Sequence, residues 1–184
     1  MNNQITPGTI LNVLFLEDSL ADFEIISEHL ATAGFNLNVN HVKNENEFSS
    51  ALDNCDFDII LADFRLPGFD AFGALKIHTE KCAEIPFICV SGSIGEEQAV
   101  ELLKQGATDY VLKDRLGRLS FAIVRALNEV ERLKVIKTTE ESLQKKAKQL
   151  QTFYELTVGR ELKMVELKKE INELLKNAGL EAKY

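Results

Sequence analysis

The feature that most restricts the fold of this chain is an alternation of short apolar runs with amphipathic segments. Five runs predict β-strands, at residues 11–16, 37–42, 58–63, 86–92 and 109–113. Four segments between them carry apolar residues at three- and four-residue spacing, which predicts helices, at residues 20–34, 45–55, 70–82 and 95–107. Three of the strands are almost continuously apolar, which is typical of a parallel sheet covered by helices on both faces.

Five strand–helix units of this kind predict an α/β fold, with a doubly wound, five-stranded parallel sheet of the flavodoxin-like type. Right-handed crossovers and burial of the most apolar strands favour the strand order 2-1-3-4-5. Gly34 and Gly106 stand where helix ends favour a left-handed residue. We predict that this domain occupies residues 10–135 and that residues 136–184 form a long C-terminal helical extension.

Charge and hydropathy argue against several functional classes. Residues 1–135 have a net charge of −10 and residues 136–184 one of +2, so the first part is a poor ligand for nucleic acid and suits a cation. No apolar run approaches the roughly 20 residues of a membrane helix, and the first ten residues lack a secretory signal pattern, so we expect a cytoplasmic protein without membrane partners.

The cysteines show no metal or disulfide framework. Cys55, Cys82 and Cys89 are odd in number and lack CxxC spacing, which favours buried reduced thiols. The histidines His29, His41 and His78 share no ligand spacing, and we expect them on the surface or on helix faces.

Polar side chains stand at the carboxyl ends of the predicted strands, where ligands bind in sheets of this type. They are Glu17 and Asp18 after the first strand, Asp63 after the third, Ser91 after the fourth, and Lys113, preceded by Tyr110, at the fifth. Three clustered carboxylates fit a hard divalent cation, and Mg²⁺ is the expected one because it binds a few carboxylates and keeps its waters. The sequence therefore predicts a magnesium site at this edge.

Four ordered motifs, "LED", "LADFRLPG", "VSG" and "DYVLK", resemble those of response-regulator receiver domains of two-component signalling. The resemblance covers about residues 10–135 and implies that Asp63 accepts a phosphoryl group from a histidine kinase or a phosphotransfer protein. It implies Mg²⁺ ligation by Glu17, Asp18, Asp63 and the backbone carbonyl of Arg65. It also implies that Ser91 bonds the phosphoryl oxygens, Tyr110 changes rotamer with them, and Lys113 pairs with the acyl phosphate.

These roles agree with the chemistry of phosphoryl transfer, which needs in-line positioning and positive charge on the equatorial oxygens. Two departures from the family pattern concern the loops at the site. Asp114 follows Lys113 where many receivers have a proline, which leaves that loop's geometry open. Arg65 lies two residues beyond Asp63, and we hypothesise that Arg65 and Ser93 influence the lifetime of the phosphoryl group.

The preferred function is a phosphorylation-controlled switch of protein association, with slow self-dephosphorylation and no dedicated enzymatic activity. One alternative is a receiver fragment of a larger hybrid kinase or sensory protein, cut before its output domain. A second is a phosphatase of the haloacid dehalogenase type, although Arg65 stands where that group has its second aspartate. Taken singly, the same residues also fit helix caps, turns and solvated charges, and a receiver serving only as a scaffold is a further alternative.

The C-terminal part predicts a coiled coil. Residues 118–158 contain neither glycine nor proline, and with Ile136 at heptad position a, nine of 13 a and d positions in 136–178 are apolar. We predict a homodimer through this helix, with its orientation open. The alternatives are a hairpin or kink at Gly159 and a surface-packed helix with a frayed tail. The segment resembles connector helices of bacterial sensory and hybrid-kinase proteins.

Overall fold

The computed structural model describes residues 10–92 and 95–184 and divides the chain into two compact units, Met1–Leu133 and Lys134–Tyr184. The strands are β1 (Ile10–Leu16), β2 (Asn36–Val42), β3 (Ile59–Asp63), β4 (Arg65–Leu66), β5 (Phe69–Asp70), β6 (Phe87–Ser91) and β7 (Asp109–Leu112). The helices are α1 (Leu20–Thr32), α2 (Glu45–Ala51), α3 (Ala71–Cys82), α4 (Glu96–Lys104), a 3-10 helix (Lys113–Arg118) and α5 (Leu119–Asn177).

The first unit contains a five-stranded parallel sheet with the order β2-β1-β3-β6-β7. Since β6 and β7 are the fourth and fifth strands of this sheet, the predicted order 2-1-3-4-5 is confirmed. The short antiparallel ribbon of β4 and β5 was not predicted. Its turn contains Gly68, whose φ of +75° is a conformation that a side chain disfavours.

Alternate residues of the central strands enter two separate cores, one on each face of the sheet. Leu14 and Leu16 of β1 pack on the face that holds α2 and α3, whereas Val13 and Phe15 pack on the face that holds α1 and the first residues of α5. Every residue of β3 and β6 is buried. This two-sided burial explains why these strands are almost continuously apolar in sequence.

Polar caps and glycines set the ends of the helices. The side chains of Ser19, Asn44 and Asp70 accept hydrogen bonds from backbone N–H groups in the first turns of α1, α2 and α3. Gly34 and Gly106, which follow α1 and α4, have φ values of +94° and +113°. The prediction of left-handed glycines at these two positions is therefore confirmed.

The prediction that all three cysteines are reduced and buried was wrong for two of them. Cys55 is exposed and forms a disulfide with the buried Cys82, with 5.7 Å between their Cα atoms. The packing of α2 against α3 brings together two residues that lie 27 positions apart, and no spacing motif signals such a contact. Cys89 is buried and free, as predicted.

The expectation for the histidines was right for His29 and His78, which lie on the helices α1 and α3, and wrong for His41, which lies on a strand. His78 on α3 is buried, and its Nε2 lies 2.6 Å from the carbonyl oxygen of Ile85. His41 on β2 is half-buried, and its ring stacks on that of Phe23 with 4.1 Å between the ring centres. The helical spacing in sequence does not reveal that α3 presents His78 to the core.

In the second unit, α5 passes through Gly159 without interruption, so the hairpin alternative does not occur. Gly179, with φ of +75°, follows the end of the helix, and the backbone N–H of Leu180 donates to the carbonyl of Leu175. The last two residues fold back on Asn172, whose side chain bonds the backbone of Lys183 and Tyr184. Among the described residues, no helix is both long and apolar enough to span a bilayer.

Candidate functional site

The polar residues singled out in the sequence stand at one edge of the parallel sheet. Glu17 follows β1 directly, Asp63 ends β3, Ser91 ends β6, and Lys113 begins the 3-10 helix after β7. Parallel strands present their carboxyl ends at the same edge, so residues up to 96 positions apart in sequence come into contact there.

Three carboxylates of this edge form a compact acidic cluster. One oxygen atom each from Glu17, Asp18 and Asp63 lies within 4.8 Å of the others. The Glu17 and Asp63 side chains are buried, whereas Asp18 is exposed to solvent. Like charges at this separation repel one another, and burial strengthens the repulsion, so the cluster needs positive charge nearby.

The backbone around Glu17 is fixed by the neighbouring edge strand. Its N–H donates to the carbonyl of Val42 at 3.0 Å, and its own carbonyl lies 2.7 Å from Nε2 of His41. The N–H of Ser19 donates to Glu17 Oε1 at 3.2 Å. These bonds hold the β1–α1 loop and aim the Glu17 carboxylate at the cluster.

Lys113 supplies the positive charge that the cluster needs. Its Nζ lies 2.7 Å from Glu17 Oε2, 2.6 Å from Asp22 Oδ2 and 3.5 Å from Asp63 Oδ1. Sequence reasoning missed Asp22. Asp22 is the third residue of α1, and an acidic residue in a first helical turn commonly serves only the helix dipole, so its position in sequence did not signal this contact.

The proton affinities follow from burial and from these contacts. Burial raises the pKa of Asp63 and of Glu17, and the nearby Lys113 ammonium only partly offsets this. Burial alone would lower the pKa of Lys113, but its hydrogen bonds to Asp22 and Glu17 outweigh burial and raise it. Lys113 therefore stays charged, while the two buried carboxylates carry an unfavourable charge that a further cation would relieve.

Asp63 is also held by backbone donors. Its Oδ1 accepts a hydrogen bond of 2.8 Å from the N–H of Phe64, and the N–H of Arg65 is a second donor. The Arg65 side chain is exposed. Ser93, the other residue named in the lifetime hypothesis, lies outside the described residues.

Ser91 and Tyr110 occupy the two neighbouring strands. Ser91 is buried at the end of β6. Tyr110 on β7 is half-buried, and the guanidinium of Arg118 lies 6.0 Å from the centre of its ring. The peptide bonds of the described residues are all trans, including the bond from Lys113 to Asp114.

The residues of the acidic cluster fit a small divalent cation. They offer three carboxylates, two of them buried, and one exposed member through which a hydrated ion can enter from solvent. The raised pKa of the two buried carboxylates indicates that a cation there would be favourable. Carboxylate ligands without thiol or imidazole favour Mg²⁺ over zinc.

Comparison with known proteins gives matches over the first unit. Residues 13–125 match the family model of the response regulator receiver domain. The cell cycle response regulator CtrA of Brucella ovis is 32% identical over 119 residues, which cover 62% of this chain and 50% of that protein. The chain spans about half or less of the length of the curated relatives it matches.

Two solved structures illustrate the similarity of the fold. A response regulator receiver domain protein from Clostridium thermocellum aligns with a TM-score of 0.60 at 21% identity, covering 67% of this chain and 98% of that one. The receiver domain of sensor histidine kinase PA1611 from Pseudomonas aeruginosa, with a magnesium ion coordinated in its active site cleft, aligns with a TM-score of 0.56 at 22% identity, covering 65% and 98%.

Proposed function

The chain belongs to the response regulator receiver domain family, and from this premise we propose that Asp63 accepts a phosphoryl group from a histidine kinase or a phosphotransfer protein. The observation that carries the proposal is the position of the Asp63 carboxylate, with the acidic pair Glu17 and Asp18 within 4.8 Å and the Lys113 ammonium at 3.5 Å. The haloacid dehalogenase alternative is not supported, since that group needs an aspartate where this chain has Arg65.

In the proposed reaction, a carboxylate oxygen of Asp63 forms a bond to phosphorus as the bond between phosphorus and the donor's histidine nitrogen breaks. The hydrogen bond from the Phe64 N–H fixes Asp63 Oδ1 and so orients the attacking carboxylate. Lys113 contributes positive charge for the phosphoryl oxygens, and the hydroxyl of Ser91 donates to one of them.

The cation site belongs to the same proposal. Glu17, Asp18 and Asp63 would hold Mg²⁺ through their carboxylates, and the Arg65 backbone carbonyl would be a further ligand. When bound, Mg²⁺ supplies positive charge to the transferring phosphoryl group. The burial of Glu17 and Asp63 supports this assignment, because a cation offsets the cost of their desolvation.

The proposed output is a change of protein association. Ser91 and Tyr110 lie on adjacent strands. A rotation of the Tyr110 side chain towards the site would change the surface that its ring forms together with Arg118.

We place the receiver domain at residues 10–135 and the helical extension at 136–184. The chain would act in the cytoplasm as a switch with slow self-dephosphorylation and no dedicated enzymatic activity, and it would not bind nucleic acid or membranes directly.

We also propose that the extension forms a homodimer. Between residues 136 and 174, α5 exposes large apolar side chains at heptad positions a and d, namely Ile136, Leu143, Leu150, Phe153, Met164, Leu167, Ile171 and Leu174. An apolar stripe of this length at coiled-coil spacing favours a second helix as its partner.

Beryllofluoride, a mimic of the phosphoryl group, tests the phosphoacceptor proposal. Fluorine NMR with Mg²⁺ present should show a bound signal for the native chain and none for Asp63→Asn. Asp56→Asn, which neutralises an exposed aspartate away from the edge, is the matched control and should bind as the native chain does. An unchanged signal in Asp63→Asn would overturn the assignment.

A further inference from the structure

The Lys113 ammonium is bound most tightly to carboxylates other than the proposed phosphoacceptor. Its two short contacts are with Asp22 at 2.6 Å and Glu17 at 2.7 Å, while Asp63 lies 3.5 Å away. A charge-assisted N–H···O bond has a length of about 2.7–2.9 Å, so the contact with Asp63 is a loose one. Glu17 and Asp22 thus engage two of the three N–H donors of the ammonium.

Asp22 differs from the other carboxylates around Lys113. It stands in the first turn of α1, is about two-fifths exposed, and is not part of the acidic cluster that fits Mg²⁺. Its backbone N–H donates to the Ser19 hydroxyl at 3.3 Å, which fixes the start of the helix and leaves the carboxylate free to bind Lys113. Within the part of the chain that the structure describes, Lys113 is the hydrogen-bond donor to the Asp22 carboxylate.

We propose that Asp22 is a positioning residue that holds the Lys113 ammonium against α1 and competes for it with the phosphoryl group on Asp63. This inference rests on the proposed phosphoacceptor function. A phosphoryl group brings three oxygens that attract the ammonium, and the 2.6 Å contact with Asp22 limits how far Lys113 moves towards them. The strength of the bond to Asp22 therefore sets how favourable the phosphorylated state is.

The competition predicts opposite effects of Asp22 on the two ligands of the site. Without the Asp22 carboxylate, the ammonium turns fully to Glu17 and Asp63. Phosphoryl mimics then bind more tightly because Lys113 is no longer held elsewhere. Mg²⁺ binds more weakly, because the ammonium lies closer to two of its three proposed carboxylate ligands.

The variant Asp22→Asn removes the charge and keeps the backbone N–H that binds Ser19. At saturating Mg²⁺ we expect its Kd for beryllofluoride, measured by fluorine NMR, to fall by about tenfold, the order expected for loss of one competing charge-assisted hydrogen bond. Its Kd for Mg²⁺ alone, measured by calorimetry, should rise. Glu24→Gln makes the same change of charge at an exposed site on the same helix and should alter neither value.

The same substitution in chains that lack the Lys113 ammonium distinguishes a positioning role of Asp22 from a direct electrostatic effect of its charge. In Lys113→Met chains, Asp22→Asn should leave the beryllofluoride Kd unchanged, because the residue acts through the missing ammonium. An equal effect in both backgrounds, or no effect in the native background, would overturn the inference while leaving the phosphoacceptor assignment in place. Absence of beryllofluoride binding by the native chain would instead overturn the proposed function and this inference with it.

Discussion

Arg125 on α5 donates a hydrogen bond from Nη2 to Oδ2 of the buried Asp109 on β7, with 2.6 Å between the two atoms. Arg118 reaches the other oxygen of the same carboxylate at 3.7 Å. The N–H of Tyr110 also donates to Asp109 Oδ1 at 2.9 Å. The pair therefore ties the start of α5 to the strand that carries Tyr110, beside the proposed switch residues.

Loss of the ion pair between Arg125 and Asp109 should destabilise the first unit. Arg125→Ala leaves the buried Asp109 carboxylate with the Tyr110 N–H as its hydrogen-bond donor and the longer contact to Arg118 as its ion pair, and an under-satisfied buried charge costs about 1–3 kcal/mol of unfolding free energy. Urea unfolding followed by circular dichroism measures the loss. Asp109→Asn in the Arg125→Ala background should recover part of it, whereas stability within about 0.5 kcal/mol of the native chain in Arg125→Ala alone would contradict the prediction.

Neutralising Asp63 should stabilise the protein when Mg²⁺ is absent. Its pKa is raised in the folded chain, so above that pKa the ionised carboxylate destabilises the fold, and the penalty disappears as the pH falls below it. Chemical unfolding in a chelator at pH 7 should give Asp63→Asn a higher midpoint than the native chain, and the difference should shrink in acid.

Saturating Mg²⁺ should make the native chain more stable than Asp63→Asn. At a concentration 100 times its Kd, a ligand that binds only the folded state adds about 2.7 kcal/mol of stability to the native chain. Asp63→Asn lacks one of the three carboxylates and should gain less at the same concentration. Equal gains in both chains would show that Asp63 does not take part in the cation site.

His78 should make stability depend on pH in mildly acidic solution. Burial lowers its pKa in the folded state, so below the ordinary value of about 6.5 the unfolded chain takes up a proton that the folded chain does not. As the pH falls below that value, the free energy of unfolding should decrease by up to about 1.4 kcal/mol per pH unit, until the pKa of His78 in the folded chain is reached. His78→Gln should reduce this dependence of stability on pH. His29→Gln, at a partly exposed position of α1, should leave it unchanged.

The disulfide predicts a dependence of stability on reductant. Cys55 and Cys82 are 27 residues apart, and in the chain-entropy model closing such a loop stabilises the fold by about 3.5 kcal/mol. The free energy of unfolding of the oxidised native protein should exceed that of the reduced native protein by up to this amount. For Cys55→Ser, oxidising and reducing conditions should give the same free energy of unfolding. Thiol titration of the denatured, unreduced chain should find one free cysteine, and a count of three would contradict the bond.

The homodimer proposal distinguishes two exposed leucines of α5. Leu167 lies at heptad position d, on the proposed seam, while Leu162 lies at position f on the opposite side. Leu167→Glu should convert a dimer into a monomer in light scattering coupled to size exclusion, because it buries two charges in the seam. Leu162→Glu should remain dimeric. A monomeric native chain at micromolar concentration would overturn the proposal.

The strand order could be predicted from sequence because each central strand is buried on both faces. Such burial requires a continuous run of apolar residues, which is visible in the sequence itself. The convergence of Asp18, Asp63 and Lys113 on one edge follows from the same topology. Asp22 could not be assigned in this way. Its contact with Lys113 depends on the angle at which α1 leaves β1, and many aspartates in a first helical turn serve only the helix dipole.

The disulfide and the burial of His78 were not predicted, for a related reason. Both depend on how α3 packs against its neighbours, and the residues involved carry no periodic or spacing signal of their own. The sequence alone determined the sheet, its order and the edge where charged residues collect, because these follow from apolar periodicity along the chain. Only the tertiary structure decided which carboxylates hold Lys113 and which thiols meet, because contacts between distant side chains are fixed by helix packing and not by local pattern.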